Sequence, residues 1–432
     1  MVTSTEYPSS WWAASARAQC HFAALGQDTD ADVAIIGGGF TGLSAAHHLQ
    51  QMGMRCIVLE ANRIGWGASG RNGGIAVPRY KLTYPELEKR YGREVAELMY
   101  RAAHEAVGVL EGIVQHHSLD CGFVRSGHLT PMVSANDAER FSADVKWLES
   151  VFGDRAPRVL DRATTARKTG TSFYACAYHE PRGAAIHPLE YCATLAHALH
   201  ARAVQIHCDT PVTAWHASHS GVVLDTPRGR VHCKQLVIAT NGYSDLTPAG
   251  RLLSKRVVPV ASAVIATEPL PPQVRKEMLP DGEPATDAKR LTNYYRVLRD
   301  GSFFFGGRGG ASSSASQRIY DRLRRDMLAI FPQLQSVPTR HQWFGMVAVT
   351  LDTLPHIGSL DQRVHYGMGY NGRGVALSAL FGKQLANQVA GNAPSLGPMS
   401  GGWFQAIPFH AFRVPAKHVA ISWKQMADSF GL

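Results

Sequence analysis

The chain has 432 residues, 45% hydrophobic and 18% charged, which is enough to bury a large core and longer than one ordinary domain, so two domains are expected. A formal charge of +10 admits nucleic-acid binding, but the lysines and arginines are scattered rather than gathered into blocks; a solvated surface and no nucleic-acid partner are expected. No apolar run reaches membrane-spanning length and no basic segment precedes an apolar stretch at the start, so the expectation is a cytoplasmic protein without stable membrane insertion. Seven scattered cysteines form no CxxC pair and no ligand cluster, so they read as small buried hydrophobes and no metal centre is expected.

Residues 32 to 60, DVAIIGGGFTGLSAAHHLQQMGMRCIVLE, spell a nucleotide-binding βαβ unit. Val33 to Ile36 is a buried parallel-strand run, and Gly37, Gly39 and Gly42 follow in G-x-G-x-x-G spacing, with Phe40 and Thr41 between them. The first glycine permits the tight turn, the second lets backbone approach a pyrophosphate, and the third lets the helix pack on the strand. Arg55 to Leu59 rebuilds a strand that ends at Glu60, where a carboxylate can accept both ribose hydroxyls and would repel a 2′-phosphate; Ala61 follows it. A dinucleotide is predicted. The unit alone leaves NAD and FAD both open. The next stretch, IGWGASGRNGG (64 to 74), suits a loop lying against a large flat ligand, with Gly67, Ala68, Ser69, Arg71, Asn72, Gly73 and Gly74 as contacts.

Further along, Tyr84-Pro85 opens a helical stretch to residue 116, and His187-Pro188 precedes an alanine-rich helix to about Ala201, with His187 read as structural. Leu236 to Ala239 is a second buried-strand run feeding Thr240, Asn241 and Gly242. Residues 255 to 335 carry alternating strand patterns, a Ser/Gly-rich loop (309 to 316) and one helix. There is no internal repeat.

With these motifs in place, the chain resembles the flavin-dependent amine and amino-acid oxidases that include D-amino-acid, glycine and sarcosine oxidases, and among them those that oxidise gamma-glutamylputrescine. The likeness rests on WWAASARA (11 to 18), GWGASGRNGG, AAIHPLEY (184 to 191), LTNYYRVLRDG (291 to 301), GYNGRGV (369 to 375) and FRVP (412 to 415), which occur in the family's order. It implies an α/β fold in which a Rossmann-like FAD-binding domain is interleaved with an α+β substrate domain on a mixed or antiparallel sheet. The implied bounds are 32–84, 155–250 and 340–392 for the FAD domain, 85–154 and 251–339 for the substrate domain, and extensions at 1–31 and 393–432. Val212 joins the implied cofactor contacts. So do Gly369, Asn371, Gly372, Arg373, Gly374 and Val375, in a strand, turn and helix whose start faces the flavin's pyrimidine carbonyl; amides and helix dipole there would stabilise charge arriving with hydride.

The implied activity is hydride removal from the carbon beside an amine, with noncovalent FAD, a small amine or amino-acid substrate, and dioxygen or another electron acceptor. Imine hydrolysis and release of hydrogen peroxide would complete it. Substrates resembling gamma-glutamylputrescine are the first expectation and amino or cyclic imino acids the second; an NAD-dependent dehydrogenase and a catalytically idle basic binding protein are the other classes. Tyr294, Tyr295, Phe305 and Trp343 are candidates for an aromatic cage over the flavin, and Arg308 for pairing a substrate carboxylate. The family's cysteine tether is missing, since no cysteine follows Cys233, and residues 61 to 74 hold no histidine. The lysine that assists oxygen in sarcosine oxidases also has no match between Lys289 and Lys383, which leaves Arg308 or His356 as substitutes.

Overall fold

A computed structural model of the chain describes residues 6–18, 20–289, 291–310, 316–392, 395–400 and 404–408, without the side chains of 308–310. Its first long strand, Thr29–Ile36, is buried from Val33 onward because parallel neighbours, Cys56–Leu59 and Gly229–Ile238, flank it on both sides. Strands covered on both faces carry continuous apolar runs rather than alternation. The sheet runs His356–Ser359, Val364–Met368, Gly229–Ile238, Thr29–Ile36, Cys56–Leu59 and Gln205–His207, and only the first pair along this path is antiparallel. A hairpin, Ala214–Ser218 with Gly221–Thr226, extends from Gly229–Ile238.

The second sheet is antiparallel apart from one short pairing. Its order is Thr339–Val349, Val258–Pro269, Ser302–Gly310, Tyr294–Val297, Ala285–Thr286, His128–Met132, Cys176–Glu180 and Arg158–Leu160. The α/β class and the interleaving of two sheets are therefore as expected. Arg158–Leu160, Cys176–Glu180 and Thr339–Val349 all hydrogen-bond within the second sheet, the last along ten partners of Val258–Thr267. The helix Arg93–His116 turns Met99, Ala103, Val107 and Leu110 into the core that holds Val33, Ile35 and Leu380, so its apolar face attaches it to the first sheet's side.

Local chemistry sets several element ends. The helical stretch after Thr83 is two helices, Tyr84–Tyr91 and Arg93–His116, broken where Gly92 takes a φ of +87°; Thr83 and Glu86 form a capping box at the start. His187 accepts from the Glu190 amide at 3.1 Å and caps the helix Pro188–His200, the structural role expected of it. The stretch expected to hold one helix has two, Pro272–Glu277 and Gln317–Ile330. No helix among the described residues is long and apolar enough to cross a membrane. Most of the expected C-terminal extension lies outside the described residues.

A buried ion pair ties the loop before Tyr84 to the helix Ala135–Phe152. The Asp144 carboxylate accepts from Arg79 Nη2 at 2.9 Å and from the Tyr84 amide at 2.7 Å, and the Arg79 guanidinium lies 4.2 Å over the Tyr178 ring. Asp144→Ala should cost roughly 3–5 kcal/mol, because it strands a buried guanidinium without its anion. Chemical denaturation checks this, and a loss below about 1 kcal/mol would show that the pair contributes little.

Candidate active site

Two cavities meet between the sheets. The larger, about 580 Å³, begins at Gly37, Gly39, Phe40 and Thr41, passes Glu60 and Ala61, and continues past Gly67, Ala68, Ser69 and Asn72 towards Tyr370 to Val375. Its volume suits a cofactor-sized ligand. The smaller, about 160 Å³, shares Ala68, Asn72, Met346, Val347, Asn371, Gly372 and Val375 with it and is closed by Ser262, Thr286 and Tyr294 of the second sheet and by Thr292 just before the last of these strands. One elongated ligand in the first would present its end to the second.

The glycine turn is dictated by close backbone approach. A Cβ on Gly42 would lie 2.0 Å from the Gly37 carbonyl oxygen, so that position must be bare, and one on Gly39 would lie 2.7 Å from Ser69 Oγ and push that side chain away. Ser69 Oγ accepts from the Phe40 amide at 2.9 Å, which joins the loop 64–74 to the start of the helix Phe40–Gln51. Asn72 fixes that loop by donating to the Ala68 and Ser69 carbonyls at 3.0 and 2.9 Å and accepting from the Gly74 amide at 2.7 Å. Glu60 accepts from the Gly38 amide at 2.8 Å and the Asn62 amide at 2.9 Å. Burial pushes its carboxyl up, and these amides pull against that shift.

At the far end, Asn371 and Gly372 both adopt positive φ, +53° and +85°, in the turn before the helix Gly374–Val389. The turn is pinned because the Asn371 amide donates to the Ala348 carbonyl at 3.1 Å while Asn241 Oδ1 accepts from the Gly369 amide at 2.9 Å. The helix start therefore faces the junction of the cavities. Arg71, Lys81 and Arg373 line the smaller cavity, and its lining contains no carboxylate among the described residues. Burial pushes Arg373 down to about 10, with Arg79 and Arg140 adding like-charge repulsion. Arg71 is held by the Trp66 and Phe344 carbonyls at 2.7 and 3.3 Å and stacks 4.3 Å over Trp66.

Of the residues expected to touch cofactor, Gly37, Gly39, Phe40, Thr41, Glu60, Ala61, Gly67, Ala68, Ser69, Asn72, Val212, Thr240, Asn241, Asn371, Gly372, Gly374 and Val375 line the larger cavity; Arg71, Gly73 and Arg373 line the smaller. Gly42, Gly74, Gly242 and Gly369 line neither and serve instead at close contacts with the Gly37 and Ile186 carbonyls, the Met346 carbonyl and the Thr350 side chain. Tyr294 alone among the aromatics expected to cage the flavin reaches a cavity. Its ring covers Gly306, where a Cβ would lie 2.3 Å away, and its hydroxyl meets Ser262 Oγ at 2.9 Å.

Tyr295 and Phe305, expected in the cage, are packed instead on the sheet's other face with Phe331 and the helix Gln317–Ile330, and line neither cavity. Trp343 is also buried; its indole donates to the Arg71 carbonyl at 2.9 Å and supports the loop from behind. His356 lies on the edge strand of the first sheet, 3.0 Å from Asp352 and stacked on Phe404, away from both cavities. The Arg308 backbone pairs with Ser262, and its side chain lies outside the described residues. Lys81, Ser262 and Thr286, which line the smaller cavity, stand in no motif, and Tyr243, which lines the larger, directly follows Gly242. For Lys81, its place just after the loop and the short strand Ile75–Ala76 was the available signal.

The lining as a whole fits FAD. Backbone donors and a carboxylate stand at one end, a helix N-terminus at the other, and among the described residues neither lining includes a cysteine or histidine to tether a flavin. Comparison with known proteins agrees. The model of the DAO family, FAD-dependent oxidoreductases, matches residues 32–388. The chain is 30% identical to gamma-glutamylputrescine oxidoreductase of Escherichia coli, covering 99% of this chain and 100% of that one. It is also 30% identical to the probable oxidoreductase OrdL of Haemophilus influenzae, covering 92% and 91%. Glycine oxidase from Geobacillus kaustophilus superposes with a TM-score of 0.72 over 86% of this chain and 98% of that one, at 20% identity, a likeness of fold. The chain belongs to the DAO family of FAD-dependent oxidoreductases.

Proposed function

We infer that the chain oxidises the C–N bond of a small amine that also carries a carboxylate, gamma-glutamylputrescine or a derivative like it being the first candidate. The carrying observation is the charge of the smaller cavity: Lys81 and Arg373 face it and no described carboxylate does. Bound FAD supplies the hydride acceptor. Arg373 holds the carboxylate end, bidentately if the fork is fully engaged. The same positive charge disfavours a second cation nearby, so it helps keep the reacting amine neutral, with its lone pair free to form the C=N bond as hydride leaves. Ile75, Val77, Val260 and Val349 give the cavity apolar walls that exclude water. Tyr294, held through Ser262, closes it on the side of the second sheet. The imine product then takes up water to give a carbonyl compound and an amine or ammonia, and dioxygen receives the two electrons to yield hydrogen peroxide.

The same cations favour a second reading, an amino or cyclic imino acid with its carboxylate next to the amine. Anaerobic bleaching of the flavin absorbance by a panel of compounds separates the two. Gamma-glutamylputrescine should bleach it, and putrescine, a dication with no carboxylate, should not; bleaching by putrescine would remove the carboxylate from the proposal.

Arg373→Ala should raise the substrate concentration for half-maximal flavin reduction about ten- to a hundredfold, the loss of ~1.5–3 kcal/mol expected for a charge-assisted hydrogen bond. Stopped-flow reduction measures it, and an unchanged value would remove Arg373 from the substrate site. Arg308→Ala in the same assay tests the alternative clamp, and slowed reoxidation alone would assign Arg308 to oxygen.

Glu60, facing the larger cavity from the end of its strand, is assigned to the ribose hydroxyls. Glu60→Ala should weaken FAD affinity about ten- to a hundredfold while the reduction rate at saturating FAD stays unchanged. Equilibrium dialysis with stopped-flow reduction checks both parts. Acid precipitation should release all flavin as FAD; flavin left on the polypeptide would contradict noncovalent binding.

A further inference from the structure

Outside the cavities, three histidines converge where two helices end. His47 stands in the last turns of the helix Phe40–Gln51, while His116 ends the helix Arg93–His116 and His117 caps it. Each offers one ring nitrogen, and the three nitrogens lie within 4.8 Å of one another. His47 Nδ1 and His117 Nε2 are 2.9 Å apart. Two imidazole nitrogens each about 2.0–2.1 Å from one tetrahedral ion lie about 3.3–3.4 Å apart, so this hydrogen-bonded pair need open by only about half an ångström to take one. His47 is buried and fixed, whereas His116 is exposed and can swing inwards to complete the set.

We propose that His47, His116 and His117 form a binding site for a borderline divalent cation such as Zn²⁺, bridging the helix that follows the glycine turn to the long helix beside it. Three neutral imidazoles without a carboxylate or thiolate select zinc, nickel or copper over magnesium or calcium. The C-terminal ends of both helices bring negative partial charge to the same place, which favours a cation and opposes none of the ligands. Gln51, whose side-chain nitrogen is 3.3 Å from His116 Nε2, can turn its amide oxygen inwards, and water can complete the coordination.

One neighbour opposes the ion. Arg202 Nη1 lies 3.1 Å from His117 Nδ1, an arrangement in which Nδ1 accepts and Nε2 carries the proton. Binding through Nε2 moves that proton to Nδ1, and Arg202, which is exposed, must leave. Its guanidinium thus competes with the metal, and its removal should help the metal bind.

The test is calorimetric titration of the chelator-treated, FAD-loaded protein with Zn²⁺ alone. One equivalent should bind per chain; His116→Ala and His117→Ala should each weaken binding at least tenfold, and Arg202→Ala should tighten it. The flavin absorbance and melting temperature of each variant, measured without metal, show that the fold is kept. With Cu²⁺, electron paramagnetic resonance should record coupling to three nitrogens, one fewer in His116→Ala. The absence of saturable binding, or stoichiometry and affinity unchanged in the His116→Ala/His117→Ala double variant, would overturn the site. Weakened binding in Arg202→Ala would overturn the assignment of His117 as a ligand.

Discussion

The close approach of two helices governs this structure. Gly382 of the helix Gly374–Val389 meets Ser44 of the helix Phe40–Gln51 so tightly that a Cβ would lie 2.4 Å from Ser44 Cβ, and Ser44 Oγ donates to the Ala379 carbonyl at 2.7 Å. Gly42 brings the first of these helices onto its strand in the same way. The N-termini of both helices consequently face the cavity system, one at the glycine turn and one where the two cavities join. Opposed helix starts create two electropositive points a fixed distance apart. One suits a pyrophosphate and the other the edge of a flavin ring that gains charge.

Charge is divided along the same axis. Among the described residues Glu60 is the acidic side chain lining the larger cavity, and the smaller is lined by Arg71, Lys81 and Arg373. Arg71 is occupied by backbone carbonyls and an indole face, so its cation is largely committed to holding the loop. Arg373 is different. Burial lowers its affinity for its proton, and its guanidinium opens on the cavity, so an anion entering there regains energy that desolvation removed. In the proposed reading, substrate selection and the keeping of a neutral amine are two results of one charge distribution.

The strand Tyr294–Val297 shows how such a site is assembled. Successive side chains of a strand point to opposite faces. Tyr294 turns to the cavity over Gly306, and Tyr295 turns to the core against Phe305 and Phe331. The two tyrosines are indistinguishable by composition. The helix Gln317–Ile330 decides between them, since its apolar stripe of Tyr320, Leu323, Met327 and Ile330 covers only one face of the second sheet.

What the sequence by itself determined lies where backbone geometry permits few residue types: Gly37, Gly39 and Gly42 at close contacts, Glu60 at a strand end, and the small-residue loop 64–74. Those constraints act over a few residues, so spacing reveals them, and with the family likeness they gave the cofactor and the interleaved α/β plan. Tertiary structure alone decided that Lys81 and Arg373 share a cavity, that Phe305 and His356 lie away from it, and that Arg158–Leu160, Cys176–Glu180 and Thr339–Val349 join the second sheet. It likewise gathered His47, His116 and His117, which belong to two helices far apart in the chain. The physical reason is that strand partners and side-chain faces depend on long-range pairing. A substrate site built from one or two residues of many separate elements leaves no spacing to read.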